Sequence, residues 1–488
     1  EGVDGDLLEL DETESELDAV ELDGLDASGS DDAADGPAPP LGPSAPTLPA
    51  LPVLTPCAPG WRELLEGELT RCDPWPESGM PTCTGDTVAL PGEASCVAVT
   101  TTCGPWPSGL PVGTTVLYVD PDAAPPGDGS AAAPYVDLDD AIAQALDGDI
   151  IALAAGTYTQ LPRLDKAYTL WGACADSRIQ GGSLFLDAGV RLRNLTISNV
   201  TVRVTAGSPS FEQVVLRNSE LNVGSGASAS TDAALFESSS AHAAGGLELR
   251  RTGLRSPDVL AAEANPGGSL TMSDVAISCV GASFSCVFID ENASGSLART
   301  VIDSAVATAL YSYGSLAVSE SVFSRTLDDG SGTRGDALAT SGATVSLDRV
   351  QFLENANFGF NCFQSSTVEG RDLFVRGSAR TAPKMTSGGV RLRNSQVNLE
   401  RILLADNGTF GVTIYGGTPV IRDLSIVGTR SSAAEAYGQG VYVLDCELEL
   451  ERVLLRDNAL SGLLAANPDT LVRLSDLTVE GTRATAND

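Results

Sequence analysis

In the second half of the chain the apolar residues follow a repeated order: two at alternate positions, a two-residue polar break, then two more. Val345, Leu347, Val350 and Phe352 follow it, as do Val397, Leu399, Ile402 and Leu404, and Leu448, Leu450, Val453 and Leu455. Further copies begin at Leu270, Val368, Pro419 and Val472. Alternation with period two marks a strand with one face buried, and the three-residue step predicts a bend that keeps both halves facing inward. From Val345 onward the copies lie 22 to 29 residues apart, the length of one coil of a parallel β-helix. A second strand per coil is expected in "FGVTIYG", "QGVYVLD" and "SGLLAAN".

The phrase "VNLERILLADN" at 397–407 returns as "LELERVLLRDN" at 448–458, an offset of 51 that spans two coils. The residues at the break explain the doubling. They read Asp348-Arg349, Arg371-Asp372, Glu400-Arg401, Arg422-Asp423, Glu451-Arg452 and Ser475-Asp476, so the order of charge inverts from coil to coil. Equivalent side chains on neighbouring coils stand ~4.8 Å apart, where like charges repel. A two-coil unit places Arg349, Asp372, Arg401, Asp423, Arg452 and Asp476 in one column of alternating sign. Asp348, Arg371, Glu400, Arg422 and Glu451 form a second column beside it. Asn355, Asn407 and Asn458 end one coil type, and Gly377, Gly428 and Gly481 the other.

Nearer the start of this region, "VLYVD" and "IIALAAGTY" flank Leu138, Ala141, Ile142, Ala145 and Leu146 at helical spacing, with Asp137 placed as N-cap. The run "GDGS…AP…L…A…GD.I.L..G.Y" over 116–158, followed by "LDKAYTLWGACADSRIQGG" at 164–182, resembles the opening rungs of right-handed parallel β-helix proteins of the pectin-lyase-like superfold. That resemblance covers roughly residues 116–488. The expected fold is all-β: a right-handed parallel β-helix solenoid with an N-terminal capping helix, preceded by a small disulfide-rich module and a disordered acidic tail.

The division expected is 1–36 acidic tail, 37–56 Pro-rich linker, 57–114 Cys-rich module and 115–488 β-helix. Residues 1–36 hold fifteen Asp or Glu and no Lys or Arg. Asp-Gly pairs occur there without EF-hand spacing, so a solvated spacer is expected over a calcium loop. Cys57, Cys72, Cys83, Cys96 and Cys103 crowd a loop-rich stretch that buries too little to stand alone. No C-x-x-C pair occurs and His242 is the only histidine, so disulfides are expected over zinc, in an oxidising compartment. The odd count leaves one thiol free or reaching into the next segment, where Cys174 is nearest in sequence. Cys279 and Cys286 are either bridged or reduced. Cys362 falls on an inward position and reads as a buried thiol.

A net charge of −36 argues against a nucleic-acid backbone as partner. No apolar run of about 18 residues exists, so no transmembrane segment is expected. The chain begins at Glu1, which reads as a processed end; a lipid anchor upstream of residue 1 would make it a bacterial outer-membrane lipoprotein. The final coil ends without an amphipathic cover, so something is expected to cover that end.

The resemblance implies enzymes acting on acidic polysaccharide by lyase or hydrolase chemistry, but the residues for it are sparse. The Gly-His-Gly motif of hydrolase relatives is missing, His242 sits in "SAHAAGG", and neither Lys166 nor Lys384 lies among carboxylates. "RGD" at 334–336 reads as a turn. Asp290-Glu291, in "VFIDENASG", is the remaining acidic pair that could hold a sugar or cation. No catalytic residue is assigned. No cofactor is expected, calcium being the one ion left open. The reading is a secreted or surface-anchored, non-enzymatic β-helix with a glycan or surface protein as partner. The alternative is a polysaccharide lyase or hydrolase of the same superfold with an atypical site.

Overall fold

The computed structural model describes residues 45–482, apart from 162, 256–259, 282–283, 331–333, 379–386 and 432–436. The acidic tail, the first part of the Pro-rich stretch and Lys384 lie outside the described residues. Residues 46–488 form one compact unit. The architecture is a right-handed parallel β-helix built from two long walls. The straight wall is a sheet of 13 parallel strands, from Ser183–Leu186 to Ser461–Ala466. The bent wall holds the recurrent strand of each coil, with Thr344–Leu353, Thr367–Arg376, Gln396–Ala405 and Glu447–Arg456 among its members.

Pairing along the bent wall is in register from coil to coil: Val345 with Val368, Val368 with Val397, and Leu448 with Val472. The alternating apolar residues meet in one continuous core that runs from Val119 to Leu455. Near its first coil sits the helix, Leu138–Gln144, with Leu138, Ala141 and Ile142 buried against that core. Two details differ from expectation. Asp137 holds the N-cap position in extended conformation but makes no side-chain cap. Leu146, expected on the buried helical face, is 66% exposed, because the helix ends at Gln144 and the chain then turns.

The polar break proves to be a single left-handed residue inside the strand. Arg349, Asp372, Arg401, Asp423, Arg452 and Asp476 all have φ between 53° and 56°. One such residue redirects the pleat, so three residues separate inward positions where two would in a straight strand. Non-glycine residues resist this conformation at roughly 1–2 kcal/mol each, so compensation is needed, and the column supplies it. The Arg401 guanidinium donates to both Asp372 carboxylate oxygens at 2.7 and 2.8 Å, and Arg452 donates to both of Asp423 at 2.7 and 2.9 Å. The column extends further towards the N-terminus than the repeat suggested. Arg251, Asp274, Arg299 and Glu320 share the left-handed conformation, and Arg299 pairs with Asp274 at 2.6 Å while Arg349 pairs with Glu320 at 2.7 Å. From Arg299 onward each arginine bonds the acid of the coil before it, so the hydrogen bonds are one-sided within the alternating column.

Buried Asn side chains account for the other two-coil mark. The Asn355, Asn407 and Asn458 carbonyls accept from the backbone N–H groups of Thr326, Ser378 and Thr429 on the preceding coil, at 3.1, 3.0 and 3.2 Å. Each asparagine thus satisfies a buried donor of the alternate coil type.

Residues 46–103 form a strap that runs back along the bent wall, opposite to the direction of coiling. The N–H groups of Ala50 and Val53 donate to Asp423 and Asp372 at 3.0 and 2.7 Å. Leu54 packs on Phe374; Trp61 and Trp75 cover Ala276, Val301 and Val322; Val88 and Leu90 cover Val215 and Leu235. Thr101 exchanges hydrogen bonds with Asn194 before the chain enters the first coil. At Gly253 a Cβ would stand 2.0 Å from the Val88 methyl, so the strap's close approach requires glycine there.

Candidate functional site

Asp290 and Glu291 lie in the turn after the straight-wall strand Ser285–Ile289. Asp290 uses its carboxylate on that turn, accepting from the Glu291 N–H at 2.7 Å, while its carbonyl accepts from Ala293. The members of the two charge columns stand at the corner of the bent wall. Asp372 and Asp423 are buried there under the strap. Burial works against the charged form of Asp372, but the Arg401 guanidinium and the Val53 N–H outweigh it and hold the carboxyl below its usual value. The Arg452 hydrogen bonds do the same for Asp423 against its burial, helped by the Ala50 N–H. The outer column is more exposed: Arg371 bonds Asp348 at 2.6 Å, and Arg422 bonds Glu451 at 3.2 Å.

All six cysteines proposed for bridging are paired, as Cys57–Cys72, Cys83–Cys96 and Cys103–Cys174; Cys279–Cys286 adds a fourth bridge. Cys103–Cys174 ties the strap to the solenoid. Cys362 and Cys446 are free and buried, and burial, with Asp445 adding to it, pushes the Cys446 thiol up to about 11. Cys103, Cys174 and Asp176 are the one group with metal-ligand proximity among the described residues, and the disulfide removes both thiolates from it. Lys166 donates to the Ala145 carbonyl at the end of the helix at 2.8 Å. Within "RGD", Asp336 is buried and accepts from Asn357, Phe358 and Asn361 at 2.6, 3.0 and 2.9 Å. That carboxylate organises the start of a strand.

Chemistry of a different kind gathers on the outer face of the straight wall, where parallel register stacks outward residues from successive coils. In the later coils this column carries aromatic rings at Phe288, Tyr311 and Tyr442, with Ala339, Asn361, Arg391 and Thr413 between the last two. Phe288 stands in register with Tyr311, and Tyr313, Phe284 and Phe363 join them with ring centroids 4.9 to 6.1 Å apart. Tyr313 is 38% exposed, and the Arg334 guanidinium lies over the Phe284 ring. Asp290 borders this cluster, since the Tyr313 N–H donates to the Ile289 carbonyl. Two coils beyond Phe363, Phe410, Tyr415, Tyr437 and Tyr442 form a second cluster, with Arg393 over Tyr415.

In the earlier coils the same outward column turns polar. Asn222 is in register with His242, and His242 with Glu263. His242 Nδ1 lies 2.7 Å from Glu263 Oε2, and Nε2 lies 3.0 Å from Ser240 Oγ and 3.7 Å from Glu220 Oε1. A groove of about 430 Å³ opens beside them, lined by Asn199, Thr201, Asn218, Glu220, Ser238 and Ser240 among others. In sequence His242 stands in the small-residue stretch "SAHAAGG", which marks no site. Ser240 and His242 are two apart on one strand face, but Glu263 is 21 residues on, and only the coil register shows that it meets them.

No protein-family model matches the chain, and no curated protein matches it. Among solved structures, the chain is similar to the catalytic unit of a thermostable GH87 α-1,3-glucanase from Streptomyces thermodiastaticus strain HF3-3. The identity is 15% and the TM-score 0.45, over 79% of this chain and 70% of that one. A pectate lyase, Pel9A, shares 14% identity at a TM-score of 0.22, over 77% of this chain and 82% of that one. A rhamnogalacturonan lyase shares 11% at 0.23, over 77% and 88%. The parallel β-helix assignment rests on the strand pairing of this chain itself.

Proposed function

We propose that the straight wall is a polysaccharide-binding face of an extracellular, surface-held β-helix. One observation carries this reading: aromatic rings and hydrogen-bonding side chains are stacked coil upon coil on the wall that the strap leaves open. Sugar rings offer C–H faces that pack on aromatic rings, and hydroxyls that suit arginine, asparagine and carboxylate partners. The solenoid presents such partners at the repeat of its coils, which suits an extended chain better than a small molecule. Four disulfides fit an oxidising compartment. In this reading the acidic N-terminal segment is the spacer that holds the rod away from its attachment.

Affinity electrophoresis through gels containing neutral or acidic polysaccharides, with and without calcium, tests the proposal. At least one gel is expected to retard the protein, and Tyr313→Ala with Tyr437→Ala is expected to abolish the retardation at unchanged thermal stability. Equal migration of wild type and double variant in every gel would refute it.

A second reading, cleavage of the polysaccharide backbone, is favoured by one feature: Glu220 and Glu263 flank His242 beside a groove. Assays of unsaturated-product absorbance and of new reducing ends on pectate, alginate and glycosaminoglycans decide it. Turnover lost in Glu220→Gln and in Glu263→Gln would establish cleavage.

A further inference from the structure

We infer that Ser240, His242 and Glu263 form a serine-hydrolase triad, acting on acyl esters carried by the polysaccharide of the proposed wall site. The three side chains come from adjacent coils. Ser240 and His242 share the outward face of the strand Ser240–Ala243, and Glu263 stands opposite His242 in the next coil. An ionised carboxylate can only accept, so in the neutral form of the ring the 2.7 Å contact puts the proton on His242 Nδ1. Nε2 is then the acceptor, 3.0 Å from the Ser240 hydroxyl. That is the order of roles a nucleophilic serine requires: hydroxyl, base, and a carboxylate that fixes the tautomer. Ser240 also lines the groove beside them.

In the reaction the Ser240 oxygen attacks the ester carbonyl carbon while its proton passes to Nε2. The carbon–oxygen bond to the sugar breaks, and the leaving hydroxyl takes the proton from the imidazolium. Water then attacks the acyl-serine by the same route, releasing the carboxylic acid and restoring the serine. Two charges stabilise the imidazolium as it forms: Glu263 at Nδ1 and Glu220 at 3.7 Å from Nε2. Asn199 and Asn218 line the same groove, and in this proposal their amides are the donors to the developing oxyanion. Glu263 acts through the histidine and is a positioning residue.

The inference takes its substrate class from the wall-binding reading, and its test separates the two. The full chain is treated with a fluorophosphonate probe and the labelled peptide is identified by mass spectrometry, alongside hydrolysis of p-nitrophenyl acetate and acetate release from a chemically acetylated polysaccharide. Expected are a label on Ser240, ester hydrolysis about a hundredfold or more lower in Ser240→Ala, and a shifted pH profile in Glu263→Gln. Circular dichroism and melting should match wild type in both variants. A label on another serine, or none above that of Ser240→Ala, would overturn the triad. Hydrolysis of the small ester without retention in any polysaccharide gel would leave the triad standing and remove the wall-binding reading.

Discussion

The two walls of the solenoid are wound from the same coils but differ in what they leave unsatisfied. On the bent wall Arg299, Arg349, Arg401 and Arg452 of the inner column each have a carboxylate of the preceding coil within hydrogen-bond reach, and the strap's N–H groups use two of those carboxylates again. On the straight wall the outward residues change character along the rod, from Ser240, His242 and Glu263 to rings around Tyr313, and the strap of residues 46–103 lies on the other wall. The periodic surface is internally neutralised and serves register and cohesion. The aperiodic surface carries rings and polar side chains that change from coil to coil, which is why the proposed binding face is placed there. In a repeat protein, a position that obeys the repeat is explained by its neighbours, whereas one that departs from it needs another explanation.

If the strap is part of the bent wall's stability, its anchor should carry the largest effect. Cys103–Cys174 closes a separation of 71 residues, for which the chain-entropy model gives about 4 kcal/mol. Cys103→Ser with Cys174→Ser is expected to lower the urea midpoint accordingly and to raise amide exchange in residues 86–101. Polysaccharide retention should be unchanged. A loss of retention matching the loss of stability would mean that the walls are not separable.

At the other end of the strap, Asp372→Ala leaves the Arg401 guanidinium and the Val53 N–H without their acceptor. The cost expected is about 1–3 kcal/mol, with faster exchange at Val53. The same site sets an acid limit. Asp372 and Asp423 both have carboxyls held below the ordinary value of 3.8. Their contribution is therefore complete above that value and is lost as the pH falls beneath it. Protection of Ala50 and Val53 should fade below pH 3.8 while the straight-wall strands keep theirs. Loss of protection at both walls together would point to general unfolding.

The bent wall was legible in sequence because its rules are local: inward alternation, one corner residue, a charge that flips. The reading of the charge column began at Arg349 although the structure continues it to Arg251. In the earlier coils the two-coil spacing shrinks from 51 to 48 between Arg251 and Arg299 and to 46 between Asp274 and Glu320, so a fixed offset of 51 does not reveal it. The strap was legible only in its cysteines, whose odd count pointed to Cys174 but not to a course along the bent wall. Ala50 meets Asp423 and Val53 meets Asp372 across 373 and 319 residues, and a contact made once leaves no period to find. The Ser240, His242 and Glu263 set failed to show for a third reason. It lies among alanines, serines and glycines, where the apolar grammar that fixes register is weakest.

The smallest effect expected lies in the outer column and tests the origin of the 51-residue period. Arg422 stands in register between Glu400 and Glu451, bonds Glu451 at 3.2 Å and is 38% exposed. Solvent screens such a pair, so Arg422→Ala should cost about 0.2–1 kcal/mol and less as salt is raised. Arg422→Glu should cost more, because it stacks three carboxylates on consecutive coils, and that excess should vanish in high salt. If alternating charge is the reason that the repeat spans two coils, the order is wild type, then alanine, then glutamate, converging with ionic strength. Equal stability of alanine and glutamate at low salt would leave the doubling to the buried asparagines, since Asn355, Asn407 and Asn458 mark alternate coils through hydrogen bonds that salt does not reach.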